Sequence, residues 1–127
     1  MKNKTLLLLL AAAIVAGSLV KTKPADNRPA ILADICQAFA YNLEADGQRK
    51  DPRIKTAGDV GALFDDFGRR STLGISYKKQ FPEFFKGLGA ELAAAAGPGR
   101  EAGAAPLTLE LRQQFVAIFT TAARSVP

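Results

Sequence analysis

Fifteen consecutive residues, Leu6 to Val20 (LLLLLAAAIVAGSLV), carry no charge, and lysines bracket them at positions 2, 4, 21 and 23. A run of this kind is read as bilayer-directed, either for good or during export. As a helix it reaches ~22 Å at ~1.5 Å per residue, short of a hydrocarbon core ~30 Å thick. It matches a secretory signal in length: Lys2 and Lys4 form the charged start, Leu6–Val15 the apolar middle, and Ala16, Gly17 and Ser18 supply small residues for cleavage after Gly17 or Ser18. Against removal stand Lys21 and Lys23, because positive charge just beyond a cleavage point opposes transfer across the membrane. Snorkelling lysines and local bilayer thinning lengthen the effective span. The expectation is therefore a retained anchor over residues 1–21, touching the membrane through residues 5–21, with the N-terminus in the cytoplasm and the remainder extracytoplasmic. Its alternative is a cleaved signal peptide and a secreted or periplasmic product.

The formal charge of +5 invites a nucleic-acid reading, but the four lysines around the apolar run account for most of it. The other 104 residues carry 13 basic and 12 acidic side chains, so no excess of cations remains to bind a polyanion. The chain has no His and no Trp, and Cys36 is its one cysteine. A histidine-containing zinc site, a His-based triad, a Cys–His nucleophile and an intrachain disulfide are all excluded by that inventory. No cofactor or metal is expected. Cys36 shares a helical face with Leu32, Ile35, Phe39 and Leu43 and reads as a small core residue. It lies too far beyond the apolar run, behind Asp34 and Ile35, to be a lipoprotein cysteine.

Residues 22–29, with two prolines and no apolar periodicity, read as a linker, and 30–127 as one small domain. Four amphipathic helices are expected in it, an all-α bundle. The first runs from about Pro29 to Ala45. The second is announced by Thr56 and Asp59 as a capping box, buries Val60, Leu63, Phe64 and Phe67, and ends at Gly68. The third starts at Pro82, buries Phe81, Phe84, Phe85, Leu88, Leu92 and Ala95, and stops at Gly97-Pro98. The last is capped by Thr108 and buries Leu111, Phe115, Ile118, Phe119 and Ala122. Between the second and third, GRRSTLGISYKKQF reads as an interruption whose LGISY is the one strand candidate. All eight phenylalanines fall on the four stripes, whereas Tyr41 and Tyr77 do not.

Asp65-Asp66 is the nearest approach to a catalytic signal, since two carboxylates in unequal environments divide acid and base roles. Adjacent helix positions point ~100° apart, however, and both flank the apolar stripe, which is the pattern of a solvated face. Gly87 and Gly89, with no preceding strand, read as sites of close helix approach rather than a phosphate loop. Two basic stretches remain: Arg49, Lys50, Arg53 and Lys55, and Arg69, Arg70, Lys78 and Lys79. They are expected to form one rim at an end of the bundle, resting on anionic lipid headgroups at ~1 kcal/mol per nearby charge. The plan resembles that of small bacterial envelope and phage-encoded proteins, a likeness of organisation that transfers no residue roles. The expected function is a non-enzymatic, membrane-tethered interaction or structural module whose partner is another envelope or phage protein. The alternative is a small exported enzyme using Asp65 and Asp66. Oligomeric state is not encoded in any pattern found.

Overall fold

The computed structural model describes residues 26–98 and 103–127. The apolar run at 6–20 and part of the glycine-rich connector, 99–102, lie outside the described residues. Five helices follow one another: α1 (Arg28–Gly47), α2 (Ala57–Arg70), α3 (Thr72–Gln80), α4 (Pro82–Ala96) and α5 (Leu109–Arg124). No strand is present among the described residues, and none of their helices is long and apolar enough to cross a membrane.

Local chemistry starts and stops these helices. Thr56 Oγ1 accepts from the Asp59 amide at 3.2 Å while Asp59 Oδ2 accepts from the Thr56 amide at 3.1 Å, the reciprocal capping box at the start of α2. Thr108 Oγ1 caps α5 by accepting from the Leu111 amide at 3.1 Å. Pro82 opens α4, and Gly97 closes it at φ 108°, a left-handed conformation that disfavours any residue with a Cβ.

Two sequence expectations are corrected at the α2–α3 junction. Gly68 does not end α2, which continues to Arg70, and LGISY is neither loop nor strand but the body of α3. The cause is Ser71, whose Oγ accepts from the Gly74 amide at 3.3 Å and so restarts a helix one residue after the last ended. Gly74 permits the sharp turn, since a Cβ there would collide with the Phe67 carbonyl. The period-two alternation of Leu73, Ile75 and Tyr77 thus comes from a helix that buries only Gly74 and Tyr77, leaving Leu73 and Ile75 exposed. Tyr77 thereby joins the core, tilted against Phe81 at 6.1 Å between centroids. The bundle therefore has five helices rather than four.

The four long helices alternate in direction. The C-terminal part of α1 meets the start of α5, and the start of α2 lies beside the end of α4 across a furrow. At one end of the bundle the chain is tied by a single antiparallel bridge, in which the Ala57 amide donates to Ala105 O at 3.0 Å and the Leu107 amide to Lys55 O at 2.9 Å. Phe39 from α1 stacks on Phe119 of α5 at 5.1 Å and meets the edges of Phe64 and Phe67 of α2 at 5.8 and 5.3 Å. Phe115 is 0% exposed. Leu63, expected inside, is exposed, because α2 turns Val60 and Phe64 inward and Leu63, about 100° round the helix from Phe64, outward.

Within this apolar interior lies a charged pair that no stripe predicted. Arg112 of α5 and Asp46 of α1 are both buried. Arg112 Nη1 donates to Leu43 O at 2.7 Å and to Asp46 Oδ2 at 3.3 Å, and Nη2 donates to Ile54 O at 2.8 Å. Asp46 in turn accepts from the Arg53 and Ile54 amides, each at 3.0 Å. Burial alone would raise the Asp46 carboxyl, but the two loop amides and the Arg112 guanidinium outweigh it and hold the group below the usual carboxylate range.

Phe115→Ala is expected to cost about 3–5 kcal/mol in urea unfolding of the full chain, against about 1 kcal/mol for Thr56→Ala, which removes only a cap. Because the Asp46 carboxyl is depressed in the fold, the stability it contributes is fully present above its unfolded value near 3.9 and is lost as pH falls below that. Arg112→Met, which takes the guanidinium from the Leu43 and Ile54 carbonyls and leaves Asp46 with its two loop amides and the more distant, exposed Arg49, should cost about 3–5 kcal/mol near neutral pH. The loss should shrink when unfolding is repeated in acid, where Asp46 is protonated.

Candidate functional site

Asp65 and Asp66 do not converge. Each sits one helical turn before an arginine of its own: Asp65 Oδ2 lies 3.1 Å from Arg69 Nη1, and Asp66 Oδ1 lies 3.9 Å from Arg70 Nε. These are solvated i,i+4 pairs along α2, a geometry that offers no shared space for a substrate between two carboxylates.

The eight basic residues are likewise not assembled into one rim. Arg49, Lys50, Arg53 and Lys55 lie in the loop that precedes α2, whereas Arg69 and Arg70 end α2 and Lys78 and Lys79 end α3. The 14 residues of α2 separate the two groups by about 20 Å at 1.5 Å per residue. In the first group Lys55 Nζ is 3.6 Å from Asp51 and Arg49 Nε is 4.0 Å from Asp46. In the second, Lys78 and Lys79 have no carboxylate partner among the described residues.

The second group stands at the end of the bundle where the described chain begins. Arg28, in the first turn of α1, donates through Nη1 to Gln80 Oε1 at 2.8 Å and forms an ion pair with Asp26 at 2.8 Å. Hydrogen bonds from Arg28 hold the Asp26 carboxyl down at about 2. The described chain thus starts beside the last turn of α3, next to Lys78 and Lys79.

A furrow of about 430 Å³ runs between α2, α3 and α4. Phe64 and Phe85, stacked at 5.4 Å, and Leu92 form its floor. Gly61 of α2 and Gly89 of α4 open its walls, and Lys78, Lys86 and Asp65 stand along it. The sequence assigned Gly89 and Gly87 to close helix approach; neither makes one, as a Cβ at either would meet no atom within 4 Å. Gly68, which also lines the furrow, does pack closely, beneath the Lys78 stem at 3.2 Å from where its Cβ would be.

Sequence reasoning passed over Asp46 and Arg112, and the signal was present. Asp46 continues the buried row 36, 39, 43 by three positions, and Arg112 precedes the row 115, 119, 122 by three. A charge of each sign on two otherwise apolar stripes is the pattern of an internal pair. Cys36 is buried as expected, which pushes its thiol up to about 12, outside the range of a nucleophile at neutral pH. No group of three or more His, Cys, Asp or Glu side chains is placed to hold a metal ion among the described residues.

No protein-family model matches the chain, and comparison with the curated proteins and with the solved structures finds no match.

Exposed i,i+4 ion pairs contribute about 0.3–0.5 kcal/mol each, so Asp65→Ala combined with Asp66→Ala should shift the free energy of unfolding by less than about 1 kcal/mol. Urea titration of the double variant beside the parent checks this. A larger loss would mean that the two carboxylates do more in the fold than neutralise Arg69 and Arg70.

Proposed function

We propose that this chain is a non-enzymatic, membrane-tethered helical module that acts on the extracytoplasmic side, held by the Leu6–Val20 segment and engaging another envelope or phage protein. The observation that carries the reading is the Arg28–Gln80 hydrogen bond. It draws the start of α1, and with it the linker, to the same end of the bundle as Lys78 and Lys79. The four linker residues ahead of Asp26, 22–25, reach at most about 14 Å when fully extended. An anchored segment would hold that end close to the headgroups, where each lysine contributes about 1 kcal/mol on an anionic surface.

The separate engagement of Asp65 with Arg69 and of Asp66 with Arg70 supports a binding role over a catalytic one. Arg49, Lys50, Arg53 and Lys55, at the far end of α2, then face away from the bilayer in this arrangement. They are the group available to an acidic partner protein.

The full chain with a C-terminal tag, expressed in bacteria and fractionated, is expected to appear in the membrane at its unprocessed intact mass. Protease added from outside the inner membrane should then remove the tag. A soluble product beginning near Ser18 or Leu19 would instead make the leading segment a signal peptide and the protein a secreted or periplasmic one. In the anchored protein, loss of partner engagement in Asp65→Ala/Asp66→Ala would point back to the carboxylates.

A further inference from the structure

We infer that the furrow between α2, α3 and α4 is a binding site for a single-chain amphiphile with a carboxylate head, a long-chain fatty acid. Its floor is formed by the stacked Phe64 and Phe85 rings continuing to Leu92, charged side chains stand along its sides, and its volume of about 430 Å³ falls within the range of small-ligand sites. The α4 residues that line it, from Pro82 to Leu92, run along the helix for about 15 Å, so the space is elongated rather than round.

The charges on it are distributed for such a ligand. Lys78 and Lys86 lie toward the Pro82 end, and neither has a carboxylate partner among the described residues. Asp65 also lines the furrow, but its carboxylate already faces Arg69 at 3.1 Å. In this proposal the carboxylate head takes Lys78 and Lys86 as its counter-charges, and the alkyl tail extends from there toward Gly61, Gly89 and Leu92.

The two glycines supply an independent reason to regard the space as kept open. Glycine is the poorest helix former after proline, and nothing packs against Gly61 or Gly89, so neither is required by a neighbouring backbone. Any larger residue at either position would stabilise its helix and fill the furrow.

The test uses the full chain in phosphatidylcholine vesicles, with palmitic acid bearing a diazirine in its tail as the probe. After irradiation, the label is expected on peptides covering Gly61–Gly68 and Pro82–Leu92. A tenfold excess of unlabelled palmitate should suppress it at least fivefold, and the same excess of hexadecanol should not. Gly61→Leu with Gly89→Leu should lower labelling at least tenfold without lowering the unfolding midpoint. The smaller Gly61→Ala with Gly89→Ala should raise that midpoint and still reduce labelling. Lys78→Met with Lys86→Met, which keeps the stem over Gly68 and removes only the charges, should reduce labelling while leaving the midpoint within about 2 °C. Label that does not saturate, that is competed equally by hexadecanol or that ignores the leucine pair would overturn the proposal. So would label that appears on these peptides only after residues 6–20 are replaced by a polar sequence, since the chain's own segment would then be the occupant. Flotation of the same vesicles reads membrane attachment separately, so a failed anchor and an empty furrow give different results.

Discussion

Arg112 is a permanent cation held at 5% exposure, and the far end of the bundle is organised around satisfying it. Three chain segments converge on its guanidinium: the last turns of α1 through Leu43 O and Asp46, the following loop through Ile54 O, and α5, which carries it. An arginine fork suits this role because its donors are fixed in a plane and satisfy two carbonyls and a carboxylate together. Gly47 lies where the Arg112 stem crosses the end of α1, and a Cβ there would collide with that stem. The pair has a structural consequence beyond its own energy. It orders the loop that delivers Thr56 to its cap and to the bridge with Pro106, and thereby sets where α2 begins and which way it runs.

From that fixed end the remaining geometry follows by helix length. The 14 residues of α2 carry the chain back across the phenylalanine cluster, Ser71 turns it into the short α3, and α4 returns beside α2. Because α3 occupies the turn, α4 starts next to the beginning of α1, and the Arg28–Gln80 contact closes the second end. The two ends therefore differ in kind. One is a buried polar knot tied by backbone groups. The other is a solvated cluster of charged side chains next to the start of α1.

The furrow is a product of the same arrangement. Helices α2 and α4 touch through Phe64 and Phe85, but glycine at 61 and 89 leaves no side chains to fill the space above that contact. That opening, with Lys78 and Lys86 standing along it, distinguishes this face of the bundle.

Helix identity and most of the core were written in the sequence. The rows of apolar residues on α1, α2, α4 and α5, the Thr56–Asp59 box, the Thr108 cap and the stop at Gly97 each rest on contacts within a few residues, where spacing alone decides the outcome. Residues 72–80 were not legible as a helix, because their period-two apolar pattern has to be weighed against a serine cap and a glycine that fits only beneath the Phe67 carbonyl. The basic residues were legible as two clusters but not as two ends, since their separation is set by α2's antiparallel return. Asp46 and Arg112 were visible as misplaced charges on apolar rows, yet their pairing joins positions 66 residues apart and exists only once α5 packs on α1. The sequence by itself determined four of the five helices and most of the sides by which they face the interior; the tertiary structure alone decided that residues 72–80 coil, which charges meet, which lysines are left without partners and where a furrow stays open, because those depend on contacts between segments that no local spacing encodes.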